Sequence, residues 1–155
     1  RFVDEPADAG VDGLIVPDLP PEEAGPLHEI CLRHGMHLVP LLAPTSTTDR
    51  IKRACQQAGG FIYCVSLTGV TGARQSLSSG LSDLVGRIRQ HTELPVIVGF
   101  GISRYEHIQE IGQFADGAVV ASALLDAIDK SPPEAVQDTA RKFVRSLRGL
   151  NGESS

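Results

Sequence analysis

The sequence predicts an α/β fold of the TIM (β/α)8-barrel class, here an incomplete barrel of about five parallel strand–helix units. Three observations predict it. Short apolar runs alternate with amphipathic stretches along the 155 residues. The runs are apolar throughout rather than alternating with polar residues, as in strands covered on both faces. Segments rich in glycine and hydroxyl side chains follow the last three runs, where a barrel gathers its binding loops. The Gly-x-Gly-x-x-Gly fingerprint of an open dinucleotide-binding sheet is absent after the first strand.

Taken in order, the strand candidates are Gly13 to Val16, His37 to Leu42, Phe61 to Val65, Val96 to Gly99 and Ala118 to Val120. The helices between them carry readable start and stop signals. Glu22 to His34 places Leu27, Ile30 and Cys31 on one face and stops at Gly35. Thr48 to Ala58 carries Ile51, Ala54 and Cys55 and ends at Gly59-Gly60. Leu81, Leu84, Val85 and Ile88 form a stripe at helical spacing. Ser103-Arg104-Tyr105-Glu106 has capping-box spacing ahead of Ile108 and Ile111. A short extra helix, Ala123 to Ile128, follows the fifth strand. Ser131-Pro132-Pro133-Glu134 opens the last helix, with Val136, Ala140, Phe143, Val144 and Leu147 facing inward. Pro6 is expected to interrupt any helix ahead of the first strand.

No linker or low-complexity segment divides the chain. Residues 1–149 therefore read as one partial-barrel domain, and 150–155 as a disordered polar tail. A complete barrel takes about 250 residues and eight strands. The chain is short of that.

Composition excludes several classes of function. Hydrophobic residues make up 41% and charged residues 21%, and the formal charge is −5. That balance gives no electrostatic case for nucleic acid or an anionic membrane. No apolar run approaches the ~20 residues that span a bilayer, and the opening residues do not resemble a signal peptide. The three cysteines make no Cys-x-x-Cys pair and read as reduced thiols in a cytoplasmic protein. The five histidines show no metal spacing and read as structural or solvated. No metal site and no Ser-His-Asp or Cys-His arrangement is expected.

Three segments carry chemistry. Thr68-Gly69-Val70-Thr71-Gly72-Ala73-Arg74 follows the third strand, and its glycines, hydroxyls and N–H groups suit an anion or a plain surface turn. Val98-Gly99-Phe100-Gly101-Ile102-Ser103 ends the fourth strand and runs into a helix. Val119-Val120-Ala121-Ser122 ends the fifth, with Ser122 placed either to help bind an anion at a helix N-terminus or simply to cap that helix. Together the three strand ends outline a barrel's phosphate site, built from backbone N–H groups without a lysine cluster. Asp18, at the end of the first strand, either serves function or caps the helix near Pro21.

These residues resemble the tryptophan synthase alpha chain family. Ala9-Gly10-Val11-Asp12-Gly13 through Val16-Pro17-Asp18-Leu19-Pro20 is similar to its fourth strand and following loop. Phe61-Ile62-Tyr63-Cys64-Val65-Ser66 with Thr68-Gly69-Val70-Thr71-Gly72-Ala73 resembles its sixth strand and mobile loop. Pro95-Val96 through Gly99-Phe100-Gly101-Ile102-Ser103 resembles the seventh strand and phosphate loop, and Ala118 to Ser122 the eighth strand. The resemblance covers nearly the whole chain in the family's order.

The resemblance implies a lyase of L-tryptophan biosynthesis that cleaves indole-3-glycerol phosphate to indole and glyceraldehyde 3-phosphate. No cofactor is implied for the alpha chain itself; pyridoxal phosphate belongs to the beta chain that takes the indole in an alpha2beta2 tetramer. By matching positions, Gly72, Gly101 and Ser122 with their neighbours bind the phosphate and Phe100 lines the indole pocket. Tyr63 lies by the substrate, and Thr71 closes over it. Asp18 and Pro20 face the beta chain. Ala121 stands where many members have glycine; its methyl is harmless at negative φ and obstructive at positive φ.

The family's catalytic glutamate and aspartate precede the matched region, and the chain opens on Arg1 rather than Met. Strands one to three and the acid–base pair are therefore expected to lie outside this chain, which alone should have negligible lyase activity. Such an open section of barrel is also expected to self-associate or to be partly molten. The alternatives are a non-catalytic remnant that binds a phosphate ligand or a beta chain, and another phosphate-binding barrel such as a histidine-biosynthesis isomerase or cyclase.

Overall fold

In the computed structural model, which describes residues 2–65, 74–99 and 101–150 (backbone alone for 74–79), all strand pairs are parallel. Helix α1 (Asp4–Asp8) leads into β1 (Gly13–Ile15), α2 (Gly25–Arg33) and β2 (His37–Val39). Then come β3 (Leu41–Leu42), α3 (Thr48–Gln57), β4 (Ile62–Val65), α4 (Arg74–Ile88), β5 (Val96–Gly99), α5 (Tyr105–Ile111) and β6 (Gly117–Val119). Helix α6 (Ser122–Asp129), a 3-10 turn at Pro133–Ala135 and α7 (Val136–Leu147) complete the chain.

The run expected as one strand from His37 to Leu42 is divided at Pro40. Proline has no N–H to give a ladder, so the run pairs in two parts: β2 joins β1, and β3 joins β4. The Pro40 carbonyl still accepts from Tyr63 N at 3.1 Å, which keeps the two parts in one path. From β3 the order is β3-β4-β5-β6, each strand beside its successor. That is the strand order of a barrel wall.

Most of the buried apolar surface lies between this wall and its helices. Leu42, Ile62, Cys64, Val96 and Val98 from the strands meet Ile51 and Ala54 of α3 and Leu81, Leu84, Val85 and Ile88 of α4. The four residues of the α4 stripe named from sequence are all buried. A second cluster joins Val3, Cys31 and Met36 under α1 and α2. All three cysteines are free thiols, and burial beside Cys55 pushes the Cys64 thiol up to about 12.

Several sequence expectations shift. Helix α2 begins at Gly25 rather than Glu22, because residues 20–23 close a turn (Glu23 N to Pro20 O, 2.9 Å) and Pro26 occupies the first helical turn. Pro6 does not interrupt α1; it sits in the first turn, where its missing N–H would have had no helical acceptor. Arg104, not Ser103, is the N-cap of α5, so no capping box forms; instead Ser103 N donates to His107 Nδ1 at 3.3 Å. In α7, Val136, Ala140, Phe143 and Leu147 are half-buried and Val144 is exposed, so the inward face is narrower than its periodicity implies. The tail at 151–155 lies outside the described residues.

Candidate phosphate-binding site

The register of the sheet sets at one level the strand ends that lead into the three glycine- and hydroxyl-bearing segments. Val65 of β4 pairs with Gly99 of β5, and Gly99 pairs with Val119 of β6. One row of the sheet therefore ends three strands at the same level, and the chain leaves each strand on that side. The next residues are those singled out from sequence. Thr71, Gly72 and Phe100 lie outside the described residues. Gly101, Ala121 and Ser122 are described, and all three are exposed.

Gly101 has φ +37, in the left-handed region that an L side chain disfavours. Nothing lies within 4 Å of the position its Cβ would take, so backbone conformation rather than crowding selects glycine there. Ala121 has φ −126, outside the left-handed region that disfavours a side chain. Of the two cases raised for alanine at that position, the one with negative φ applies.

Ser122 is the first residue of α6, and Ala121 is its N-cap, with no side-chain capping bond. Leu125 N already donates to Ala121 O at 3.0 Å. The N–H groups of Ser122, Ala123 and Leu124 are left without helical acceptors, at the positive end of the helix dipole. The capping role considered for Ser122 is therefore not the one it plays. An exposed serine and bare N–H groups at a helix N-terminus are suited to an oxyanion.

Tyr63 points from β4 toward the same row. Its ring lies across Gly99: a Cβ there would stand 2.7 Å from Tyr63 Cζ and overlap the hydroxyl outright. Gly99 is thus the partner that makes room for the phenol. Sequence reasoning placed Gly99 in the segment without giving it this task; the signal was glycine inside an otherwise β-branched strand.

Asp18 and Pro20 occupy the loop between β1 and α2, on the same side of the sheet. Asp18 is exposed and Pro20 half-buried. The alternative of Asp18 as a helix cap fails, since the N-cap of α2 is Ala24. Sequence reasoning missed a neighbour of this loop. Glu22 receives a two-pronged contact from Arg50 of α3, at 3.1 and 3.2 Å, and the bond to its own backbone N–H first, then Arg50, holds its carboxyl below the usual range. An ion pair 28 residues apart leaves no periodic trace.

Structural readings of the histidines hold where partners are seen. His28 Nδ1 lies 2.9 Å from the Gln57 carbonyl, and His34 Nε2 lies 3.1 Å from Asp4. A cavity of about 320 Å³ lined by His28, Met36, His37, Gln57 and Leu94 opens at the opposite end of the sheet, where β2 and β5 begin. None of the site residues lines it. Among the described residues no helix is long and apolar enough to cross a membrane.

Comparison with known proteins bears on the family and the fold. The family model for tryptophan synthase alpha chain matches residues 1–151. The tryptophan synthase alpha chain of Roseiflexus sp. (strain RS-1) is 54% identical over 149 residues, covering 96% of this chain and 57% of that protein. The alpha chain of Methanocaldococcus jannaschii is 44% identical over 130 residues, covering 84% of this chain and 46% of its own. Among solved structures, a chain of the tryptophan synthase a2b2 complex from Pyrococcus furiosus superposes with a TM-score of 0.83 at 37% identity, over 96% of this chain and 60% of that one. The chain thus spans a little over half the length of the relatives it matches, and its strand–helix units form an incomplete TIM barrel. With a family match over nearly every residue and the same fold at 37% identity, this chain belongs to the tryptophan synthase alpha chain family.

Proposed function

We propose that the chain forms the phosphate-binding part of a lyase that cleaves indole-3-glycerol phosphate to indole and glyceraldehyde 3-phosphate in L-tryptophan biosynthesis. The observation that carries this reading is the row Val65, Gly99, Val119, which ends three strands beside the exposed N-terminus of α6. The substrate phosphate is a dianion, and the N–H groups of Ser122 to Leu124, the Ser122 hydroxyl and the Gly101 backbone offer it donors in one place. Gly72 completes the cradle and Thr71 closes over it in this reading. Phe100 lines the indole pocket, and Tyr63 flanks the substrate on the floor made by Gly99. Burial of the apolar indole and fixation of the polar phosphate together orient the bond to be cleaved.

The acid–base pair lies outside these 155 residues in the same reading. The carboxylates whose surroundings lower their pKa are Asp4, Glu22, Asp116 and Asp138, and all serve ion pairs or backbone caps away from the β4–β6 strand ends. The alpha reaction takes no cofactor. Asp18 and Pro20 face a beta chain, which carries pyridoxal phosphate, in an alpha2beta2 assembly, as the Pyrococcus furiosus relative is an a2b2 complex. The setting is cytoplasmic. Residues 1–149 act as one domain.

Calorimetric titration with indole-3-glycerol phosphate and with glycerol phosphate, alongside an indole-release assay, tests the reading. Binding of both phosphates without indole release is the expected result. Indole release by the isolated chain would overturn the assignment of the acid–base pair, and absence of binding to either phosphate would overturn the site.

A further inference from the structure

The loop from Val16 to Ala24 is held in two different ways. Beneath it, Val16, Leu19, Pro21 and Ala24 rest on Leu38, Val39, Pro40 and Gln57, with a gap of about 20 Å³ left between them. Apolar contact of this kind is non-directional and leaves the loop free to shift along the surface. Within the loop, Leu19 N donates to Val16 O at 3.2 Å and Glu23 N to Pro20 O at 2.9 Å, which shapes two turns but ties neither to the rest of the molecule.

The directional restraint comes from α3. Arg50 Nε donates to Glu22 Oε1 at 3.1 Å and Nη2 to Oε2 at 3.2 Å. Both prongs of the guanidinium meet both carboxylate oxygens, an arrangement that fixes angle as well as distance. The arm is itself anchored. Arg50 N donates to Oγ1 of Thr47, the N-cap of α3, at 3.3 Å. Thr47 follows Ser46, which is buried, whose Oγ accepts from Ala43 N at 3.0 Å and whose carbonyl accepts from Arg87 of α4 at 2.5 Å. Arg50 therefore projects from an anchored turn onto the loop.

We propose that Arg50 is a positioning residue for the partner-facing loop: by gripping Glu22 it holds Asp18 and Pro20 in the arrangement a beta chain meets. This rests on the reading of Asp18 and Pro20 as partner-facing. The grip preorganises the loop, so the ordering cost is met before association rather than during it.

The test uses the full chain, the beta chain of Pyrococcus furiosus as probe, and amide exchange at Leu19 and Glu23 as a measure of loop order without the partner. Arg50→Ala and Glu22→Gln should each speed exchange at both amides and weaken beta-chain binding by roughly two- to fivefold, the range of an exposed bidentate pair. The melting temperature should hold near that of the parent. Arg50→Lys, which keeps charge but loses the fork, should fall between. The swap of Glu22→Arg with Arg50→Glu should recover most of the loss, which a general weakening of the fold would not allow. Parental exchange and affinity in Arg50→Ala, with Asp18→Ala binding more weakly than the parent, would overturn the inference alone. Parental affinity in Asp18→Ala, or no binding by the parent chain, would overturn the docking reading and this inference with it.

Discussion

The phenol of Tyr63 lies across Gly99 on the neighbouring strand, although the two are not directly paired. The register sets Tyr63 opposite Ile97 and Val65 opposite Gly99, so the ring reaches diagonally toward the strand end. Any side chain at position 99 would occupy the same space, with Cζ only 2.7 Å from the new Cβ.

Gly99→Ala should therefore destabilise the chain by about 1–3 kcal/mol, the usual cost of forcing an extra carbon into a packed site. Shortening the phenol relieves the overlap, so Gly99→Ala combined with Tyr63→Leu should cost less than the two single changes added together. Denaturant unfolding of the four proteins measures the coupling. Additive costs would mean that the ring leaves Gly99 freely.

How much of this was legible beforehand differs by element. The stripe Leu81, Leu84, Val85 and Ile88 is buried as its spacing predicts, since helical periodicity reports directly which face meets a sheet. The split at Pro40 was missed, since His37 to Leu42 was expected as one strand, although proline's inability to donate to a ladder was a signal for it. That Gly101 and Ser122 lie just beyond neighbouring, paired strands followed from the order of their segments. What could not be read were contacts that depend on register or on distant loops, such as Tyr63 over Gly99 and Arg50 on Glu22. Val144 failed for a related reason: periodicity shows which residues share a face, not how wide a neighbour covers it.

At Gly101 the expected effect is on the backbone. With φ +37 and open space around a would-be Cβ, alanine meets strain but no clash. Gly101→Ala should cost about 1 kcal/mol of stability. It should weaken binding of glycerol phosphate by a larger factor than the same substitution at Gly86, a helical glycine with equally open surroundings. Titration of both variants with glycerol phosphate decides; equal affinities would remove Gly101 from the phosphate cradle.

Asp116 ties the start of β5 to the turn before β6. Its Oδ2 accepts from Val96 N at 2.8 Å and from Arg89 Nη2 at 3.1 Å, and the backbone bond first, then Arg89, holds the carboxyl below its ordinary value. A carboxylate with a depressed folded-state pKa contributes stability above its unfolded pKa of about 3.9 and loses it as the pH falls through the folded value. The side chain is 42% exposed, so solvent screening limits the contribution to roughly 0.5–1 kcal/mol. Asp116→Asn should lower stability at pH 7 by that amount and flatten the acid limb of the stability profile below about pH 4. Melting curves from pH 2 to 7 read both effects, and an unchanged acid limb would assign the acid sensitivity to other groups.

The edges of the sheet carry the last prediction. Among the described residues β1 pairs only with β2, and β6 only with β5, so each presents an unpaired side of backbone donors and acceptors. Exposed apolar side chains lie on β1 and on the helices that follow β6: Ile15 on β1 at 46% exposure, Leu125 on α6 at 64% and Val144 on α7 at 47%. Unpaired strand edges invite pairing with another chain, and burial of each large apolar side chain favours contact by about 1.5–3 kcal/mol. The isolated chain should therefore self-associate at micromolar concentration, with a melting temperature that rises with concentration as association stabilises the folded form. Ile15→Lys, placing a charge on the open edge strand, should shift the population toward monomer, because burying an unpaired ammonium between two sheets is unfavourable. Sedimentation velocity across a hundredfold concentration range, for the parent and Ile15→Lys, measures this. A parent that stays monomeric throughout, with a sharp and concentration-independent unfolding transition, would show that both edges are already protected.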